Sequence, residues 1–361
     1  MAAKVYIHHD GYYSSPFTRH GTDFANLNAI ELSASTGKDF VKNKKIDFTV
    51  YGSSVHQPHG FWAAPWFSHM LGLNCPSTYV SQACSTGIMS LFLAYSFIAN
   101  NLYDNVYCCT ADRTSNGPVT KWKNTEIEED WVKDNFNHDP ASKKSTLETA
   151  EAIAADYKIT KEALDDITYY RHYQYAQNED SSYIRQTGET SKDVGVRKIT
   201  TDRLEKFKPI KNNGFHSLAN ITYAADGHTG IYVSNQKSEI PIEIISFGFG
   251  KTTVGKMPAA SLISTKKALD AASIDISKID IINQHNAFAV NDCMFAKEFN
   301  IDIYSMNNLG SPLVYGHPQA PVLSRLLIEG IYEAIQKGGG LVLVTGAAAG
   351  DQGATIICKV G

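Results

Sequence analysis

Short apolar runs, each closed by small or polar residues and followed by a helical repeat, recur at both ends of the chain. Thr78 to Ser81 reads as a buried strand ending in Gln82-Ala83-Cys84. From Ser85 onward Ile88, Leu91, Phe92, Tyr95 and Ile98 fall at helical spacing, and Val106 to Cys109 reads as the next strand. In the second half, Ala259 to Ala272 predicts a helix with Leu262 and Leu269 facing a core. Ile279 to Ile282 predicts a strand, and a helix follows from Ala287. Leu341 to Val344 and Thr355 to Val360 predict two strands around a small-residue turn, Gly346 to Gly353. Strands this apolar belong in the centre of a sheet, so the pattern predicts an α/β protein.

The middle breaks this rhythm. Residues 112–215 are rich in Lys, Glu, Asp, Asn and Tyr, with helical stretches at Ser145 to Tyr157 and Lys161 to Gln174. Such polar helices predict an excursion covering one face of the core rather than a separate domain; an exposed structural insert is the alternative. A weak internal parallel also emerges. A strand and polar residues precede Cys84 and a helix; a strand and Asn283-Gln284 precede His285 and another. If the halves are duplicated α/β units, Cys84 and His285 occupy corresponding corners.

Composition narrows the function classes. The 361 residues are 43% hydrophobic and 19% charged, as in ordinary globular proteins. A formal net charge of −4 gives no reason to expect nucleic acid or an anionic membrane as partner. The local basic stretch with Lys206, Lys208 and Lys211 remains a candidate for acidic ligands. Six cysteines without a CxxC pair argue against a zinc site and a disulfide framework. The chain opens on a strand-like run, with no charged leader and no apolar run approaching about 18 residues. A cytoplasmic location is the expectation, and reduced thiols are compatible with it.

Cys84 stands where a helix is predicted to begin, and unpaired N–H groups there favour a thiolate. Gly87 beside it would allow close backbone approach. Such a thiolate could attack a thioester while neighbouring N–H groups hold the oxyanion. A buried structural cysteine is the equal alternative, and for Cys75, Cys108, Cys109, Cys293 and Cys358 it is the reading taken. His317, in the turn Gly316-His317-Pro318, and His285, at a strand end, are the histidines placed to activate a thiol. Most of the twelve histidines, such as His8, His9 and His216, read as ordinary hydrogen-bonding residues.

Taken together, the blocks Thr78-Tyr-Val-Ser-Gln-Ala-Cys84-Ser-Thr-Gly87, Leu204-Glu-Lys-Phe-Lys-Pro209, Asn220-Ile-Thr-Tyr-Ala-Ala-Asp226-Gly227, His285-Asn-Ala-Phe-Ala289 and Gly316-His317-Pro318 with Arg325 resemble, in order and spacing, the signature blocks of the thiolase superfamily. The resemblance implies two βαβαβαββ halves in a five-layered αβαβα core with an inserted loop domain. The corresponding division is 1–111, loop domain 112–215, 216–240, and a C-terminal half 241–361. It also implies a homodimer, acyl-CoA as substrate and no further cofactor or metal. Cys84 resembles the acyl-accepting nucleophile, His317 its activator, and His285 the residue binding the thioester oxygen. Asn286 stands where an acidic residue is usual. Thr222, Lys208 and Lys211 are expected to hold the CoA end, and His56 to line the same pocket, a structural role being at least as good a reading for it.

One departure is large. Thiolases carry a second cysteine in a Cys-x-Gly-Gly-Gly-x-Gly turn; here the turn reads Ala347-Ala348-Ala349-Gly350-Asp351-Gln352-Gly353, with Ala347 at the cysteine position and Ala349 in the substrate-facing bend. Sterol-carrier-type and archaeal thiolases and the thiolase-like subunits of phloroglucinol acetyltransferases are similar in lacking it, and the last often work with a small zinc-ribbon/OB-fold partner. The expectation is non-decarboxylating acyl transfer from CoA to carbon, with His285 the first choice for the missing base. A decarboxylating ketoacyl synthase and a non-catalytic scaffold subunit are the alternatives.

Overall fold

The structure, a computed structural model, describes residues 3–178 and 181–361, without the side chain of Asn116. The N-terminal half runs β1 (Tyr6–Ser14), β2 (Thr18–Arg19), α1 (Ala29–Val41), β3 (Phe48–Gly52), α2 (Ala63–Met70), β4 (Ser77–Val80), α3 (Thr86–Ala99) and β5 (Asn105–Arg113). An excursion follows, with a small hairpin of β6 (Val119–Lys121) and β7 (Glu128–Asp130) and helices α4 (Trp131–Asn137), α5 (Thr146–Tyr157), α6 (Lys161–Ala176) and α7 (Thr201–Glu205). Strand β8 (Ala225–Ser234) returns to the first half. The second half comprises β9 (Ile242–Lys251), α8 (Ala260–Ala272), β10 (Ile281–Gln284), α9 (Ala289–Phe299), α10 (Pro312–Tyr315), α11 (Val322–Gln336), β11 (Gly340–Ala348) and β12 (Gln352–Val360).

The strands form a ten-stranded mixed sheet in the order β10-β11-β12-β9-β1-β8-β5-β3-β4, with β2 on β8. Within the sheet the halves join at the start of β1, where Tyr6 and Ile7 pair with both β8 and β9. Helices α1 and α2 cover the outer face of the first half over Tyr13, Phe40, Tyr51, Phe67 and Tyr107. Between the halves lie α3 and α11, sharing one apolar cluster with strands from both. A second cluster, on the outer face of the second half, joins α8 and α9 to α5 and α6. Five layers result, α–β–α–β–α, as the family resemblance implies.

Helix α11 is buried on nearly every side, its apolar residues filling the core while Arg325 and Glu329 pair with each other inside it, and α3 is buried along one face. In α11, Leu323, Leu326, Leu327, Ile328 and Ile331 are fully enclosed, each contributing roughly 1.5–3 kcal/mol. Gly87 lets α3 meet α11 backbone to backbone: a Cβ there would lie 2.3 Å from Ser324 Oγ and 2.9 Å from Ser324 N.

Three sequence expectations shift. The strand expected at Ile279 begins at Ile281, because Asp275 caps a 3-10 turn at Ile276–Lys278 that Ile279 terminates. The turn expected over Gly346 to Gly353 shrinks to residues 349–351, since ladder pairs Gly346–Ala354 and Ala347–Gly353 form regardless of side-chain size. Among the described residues no strand forms between α9 and α11; one backbone bond, Asn307 N–H to Ile282 O at 3.1 Å, lies where that strand would run.

The excursion is stapled to the second half by buried charge. Arg171 of α6 meets Asp292 of α9 at 2.9 Å. Arg325 of α11 grips Asp193 with both terminal nitrogens, at 2.7 and 2.6 Å, and turns its Nε to Glu329 at 3.0 Å. Among the described residues no helix is long and apolar enough to cross a membrane.

Candidate active site

Cys84, His285 and His317 arrive from three separate corners and meet. Leaving β4, the chain turns sharply through Ala83, whose φ of +45° is left-handed and costly for a side-chain residue. Cys84 follows, and α3 begins only at Thr86 with Ser85 as its N-cap. His285 directly follows β10; its N–H bonds Thr345 O at 2.9 Å and its Nδ1 donates to Ala347 O at 3.2 Å. His317 comes after Gly316, whose φ is +93° and whose Cβ, were there one, would lie 2.7 Å from the Tyr223 ring. The His317 N–H is held by Tyr223 O at 2.9 Å. The outcome is a row: Cys84 Sγ lies 3.1 Å from His317 Nε2, which lies 3.2 Å from His285 Nε2.

Burial governs the protonation of all three. It pushes the Cys84 thiol up to about 12, while the N–H groups of Cys84 and Ala349 favour the anion and Asp112 opposes it. Cys84 stands immediately before the N-cap rather than within the first turn, and its burial opposes the thiolate that a helix start would favour. Burial lowers His285 to about 4 despite its bond to Ala347 O. His317 is held well below its ordinary value by burial and then by His285. Both imidazoles are neutral at physiological pH, the state a proton acceptor needs. A metal on both Nε2 atoms would need Nδ1–H on both rings, yet Nδ1 of His317 already accepts from the Gln319 N–H at 3.1 Å. The donor set suits proton transfer better than a cation.

A cleft of about 280 Å³ opens onto Cys84, His317, Gln319, Ala349 and Thr222. Its outer wall includes Trp131 and Phe136 from α4 of the excursion. Ala349 sits in the hairpin turn with its N–H near the sulfur. Thr222 lines the cleft while its hydroxyl donates to Pro312 O at 2.5 Å.

Four other candidates lie elsewhere. His56 is exposed and borders a separate hollow of about 190 Å³ beside α2, with Tyr51, Phe61 and Tyr79. The end of β3 is drawn there because Asp112 binds the Ser54 and Val55 N–H groups at 2.9 and 2.8 Å. Asn286 is fully buried, donating to Asp292 at 2.8 Å and accepting from Leu313 N at 3.2 Å, so it ties α9 to α10 and is outside the cleft lining. Lys208 is exposed and outside the cleft lining. Lys211 is paired with Glu148 at 2.6 Å, which completes the capping box of α5.

The sequence reading missed two residues that the site uses. Asp112 also accepts from Ala320 N at 2.8 Å, tying β3, β5 and the loop after His317 into one cradle. Gln319 touches the sulfur itself, its Oε1 accepting from the thiol at 3.2 Å. Its place two residues beyond His317 was the one available signal.

Two family models match nearly the whole chain: "Thiolase, N-terminal domain" over residues 11–237 and "Thiolase, C-terminal domain" over 240–360. The 3-ketoacyl-CoA thiolase of Pseudoalteromonas translucida is 26% identical, covering 96% of this chain and 94% of its own. Human mitochondrial 3-ketoacyl-CoA thiolase superposes with a TM-score of 0.91 at 18% identity, covering 99% of both chains. Its complex with CoA gives 0.90 at 18%, covering 99% of this chain and 98% of that one. The acetyl-CoA acetyltransferase of Bacillus anthracis gives 0.90 at 19%, covering 100% of this chain and 99% of its own. These structures carry the fold, and the family models carry the assignment: the chain belongs to the thiolase family.

Proposed function

We propose that this thiolase-family acyltransferase takes an acyl group from a CoA thioester onto Cys84 and passes it, without decarboxylation, to a carbon nucleophile. The observation carrying this is the buried row of Cys84 Sγ, His317 Nε2 and His285 Nε2 at 3.1 and 3.2 Å, beside two backbone N–H groups, with Cys84 and His317 lining a cleft and His285 behind them. As the sulfur attacks the thioester carbon, its proton moves to His317 Nε2 and the proton already there moves to His285 Nε2. The N–H groups of Cys84 and Ala349 hold the oxyanion. The C–S bond to CoA then breaks, and the leaving thiolate takes a proton back from the histidine pair.

The second half-reaction needs a carbon nucleophile. Ala347 offers only a methyl group in the ladder of β11, so no thiol stands there to take the proton from carbon. His285, anchored on the Ala347 carbonyl, is the base in this reading. A homodimer is part of the proposal, and a partner protein or an acceptor with an acidic or electron-rich carbon is expected to speed turnover.

Intact-protein mass spectrometry after exposure to acetyl-CoA tests the loading step. An acyl adduct lost in Cys84→Ala is the expected result; an adduct that persists in that variant moves the nucleophile elsewhere. The isolated chain should load acetyl readily yet condense acetyl-CoA with itself slowly. Brisk acetoacetyl-CoA formation that His285→Ala leaves unchanged would sink the assignment of His285.

A further inference from the structure

Gln319 contacts both the nucleophile and its imidazole partner, and the reaction as proposed gives it no task. Its φ is +73°, a left-handed conformation that few residues other than glycine adopt. That backbone turns its N–H and its side chain toward the same buried point. The N–H donates to His317 Nδ1 at 3.1 Å, and the carboxamide Oε1 accepts from the Cys84 thiol at 3.2 Å.

These two contacts determine where the resting protons sit. A neutral imidazole carries a single N–H. Because Nδ1 of His317 is an acceptor, its proton is on Nε2, the nitrogen facing the sulfur. His285 is the mirror case: its Nδ1 faces a carbonyl and carries the proton, which leaves Nε2 to accept from His317. In the resting arrangement His317 therefore has no free lone pair for the thiol, and the acceptor for the thiol is the Gln319 carboxamide. An oxygen accepting from S–H favours the thiol over the thiolate.

We propose that Gln319 restrains the nucleophile: its carboxamide holds the Cys84 thiol protonated and its backbone N–H fixes the His317 tautomer until an incoming ligand displaces the carboxamide from sulfur. This rests on Cys84 being the nucleophile, but not on the identity of the acyl donor. The carboxamide lines the cleft, so a thioester entering beside Cys84 meets Gln319 directly. A neutral side-chain change at position 319 leaves the backbone N–H that bonds His317 Nδ1, and the Asp112 bond to the Ala320 N–H, available.

The test is the rate of Cys84 alkylation by iodoacetamide at pH 8 without CoA, read by mass spectrometry of the Cys84 peptide. Gln319→Met keeps length and removes the acceptor; its alkylation should be faster by about fivefold, the worth of one hydrogen bond. Gln319→Glu places a stronger acceptor and a negative charge beside the sulfur and should be slower than wild type. Gln319→Gly keeps the left-handed backbone and should behave like the Met variant, separating side chain from backbone strain. Circular dichroism and thermal melting check that each variant is folded. A Met variant and a Gly variant no faster than wild type, or a Glu variant as fast as Met, would overturn the proposal. Because iodoacetamide is not a thioester, the expected ordering with no acetyl adduct in the wild type would uphold the restraint and defeat the acyltransfer reading alone.

Discussion

At the residue scale the chemistry is set by burial more than by charge. His317 and His285 stay neutral far below the ordinary histidine range, so acyl loading should not decline as pH falls through 6.5. His285 is lowered to about 4, and loading rates measured from pH 8 to pH 5 should remain nearly flat on the acid side; a drop centred near 6.5 would show a histidine that titrates normally. His317→Ala and His285→Ala should each slow adduct formation by about 10²–10⁴-fold, as loss of a proton acceptor does. If His285→Ala loads at the wild-type rate, the proton stops at His317. The three residues of the buried row were legible in the sequence because each follows a strand end or a tight turn with its own block of neighbours. Gln319 was not, because its role depends on a left-handed φ that glutamine does not announce. His56, Lys208 and Lys211 were harder to place, because exposed polar residues carry no burial pattern to say which way they face.

At the scale of elements, recurring apolar runs predicted the sheet well, because central strands are covered on both faces and read as continuous apolar runs. The excursion was harder to read, since its helices join the core through a few buried ion pairs. Arg325 is the clearest case: its guanidinium lies 3.7 Å from the Tyr315 ring centroid and binds Asp193 and Glu329 at once. Arg325→Met should cost about 3–5 kcal/mol, because it strands two buried carboxyl groups. Chemical denaturation reads that loss, and limited proteolysis should show cleavage near Asp193 before cleavage in the core strands. A variant as stable as wild type would mean that the carboxyl groups find water instead. Between α9 and α11, where the family pattern implies a strand, Asp302 instead caps a 3-10 turn at Ile303–Ser305.

For the whole molecule, the pH dependence of stability follows from two opposing sets of buried groups. His172 and His285 are lowered to about 4, and His228 and His317 are lowered further. Each binds a proton in the unfolded chain below 6.5 but not in the folded one, so their contribution is present above 6.5 and lost on acidification. Glu329, raised to about 7, and Asp112, raised to about 6, work the other way, gaining stability as pH falls through those values. Burial raises Asp226 and Asp292 as well, so four carboxyls oppose four histidines and stability should change by less than about 1.4 kcal/mol per pH unit between pH 7 and pH 5. Denaturation midpoints measured from pH 7.5 to pH 4.5 check this; a steep fall toward pH 5 would show that the carboxyls do not offset the histidines.

The pairing of β1 has a consequence for biosynthesis. The first strand made pairs with residues as late as Ser234 and Glu243, so it waits on the ribosome while most of the chain is translated. During that interval the facing edges of β1 and β5 lack β8, the strand that sits between them, which exposes the nascent chain to aggregation and makes refolding slow. Cys84 is likewise unshielded until α11 and β11 emerge. A fragment ending at residue 237 should accordingly be poorly soluble and its Cys84 readily alkylated, whereas the full chain should protect that thiol; a soluble fragment with a protected Cys84 would show that the first half closes on its own.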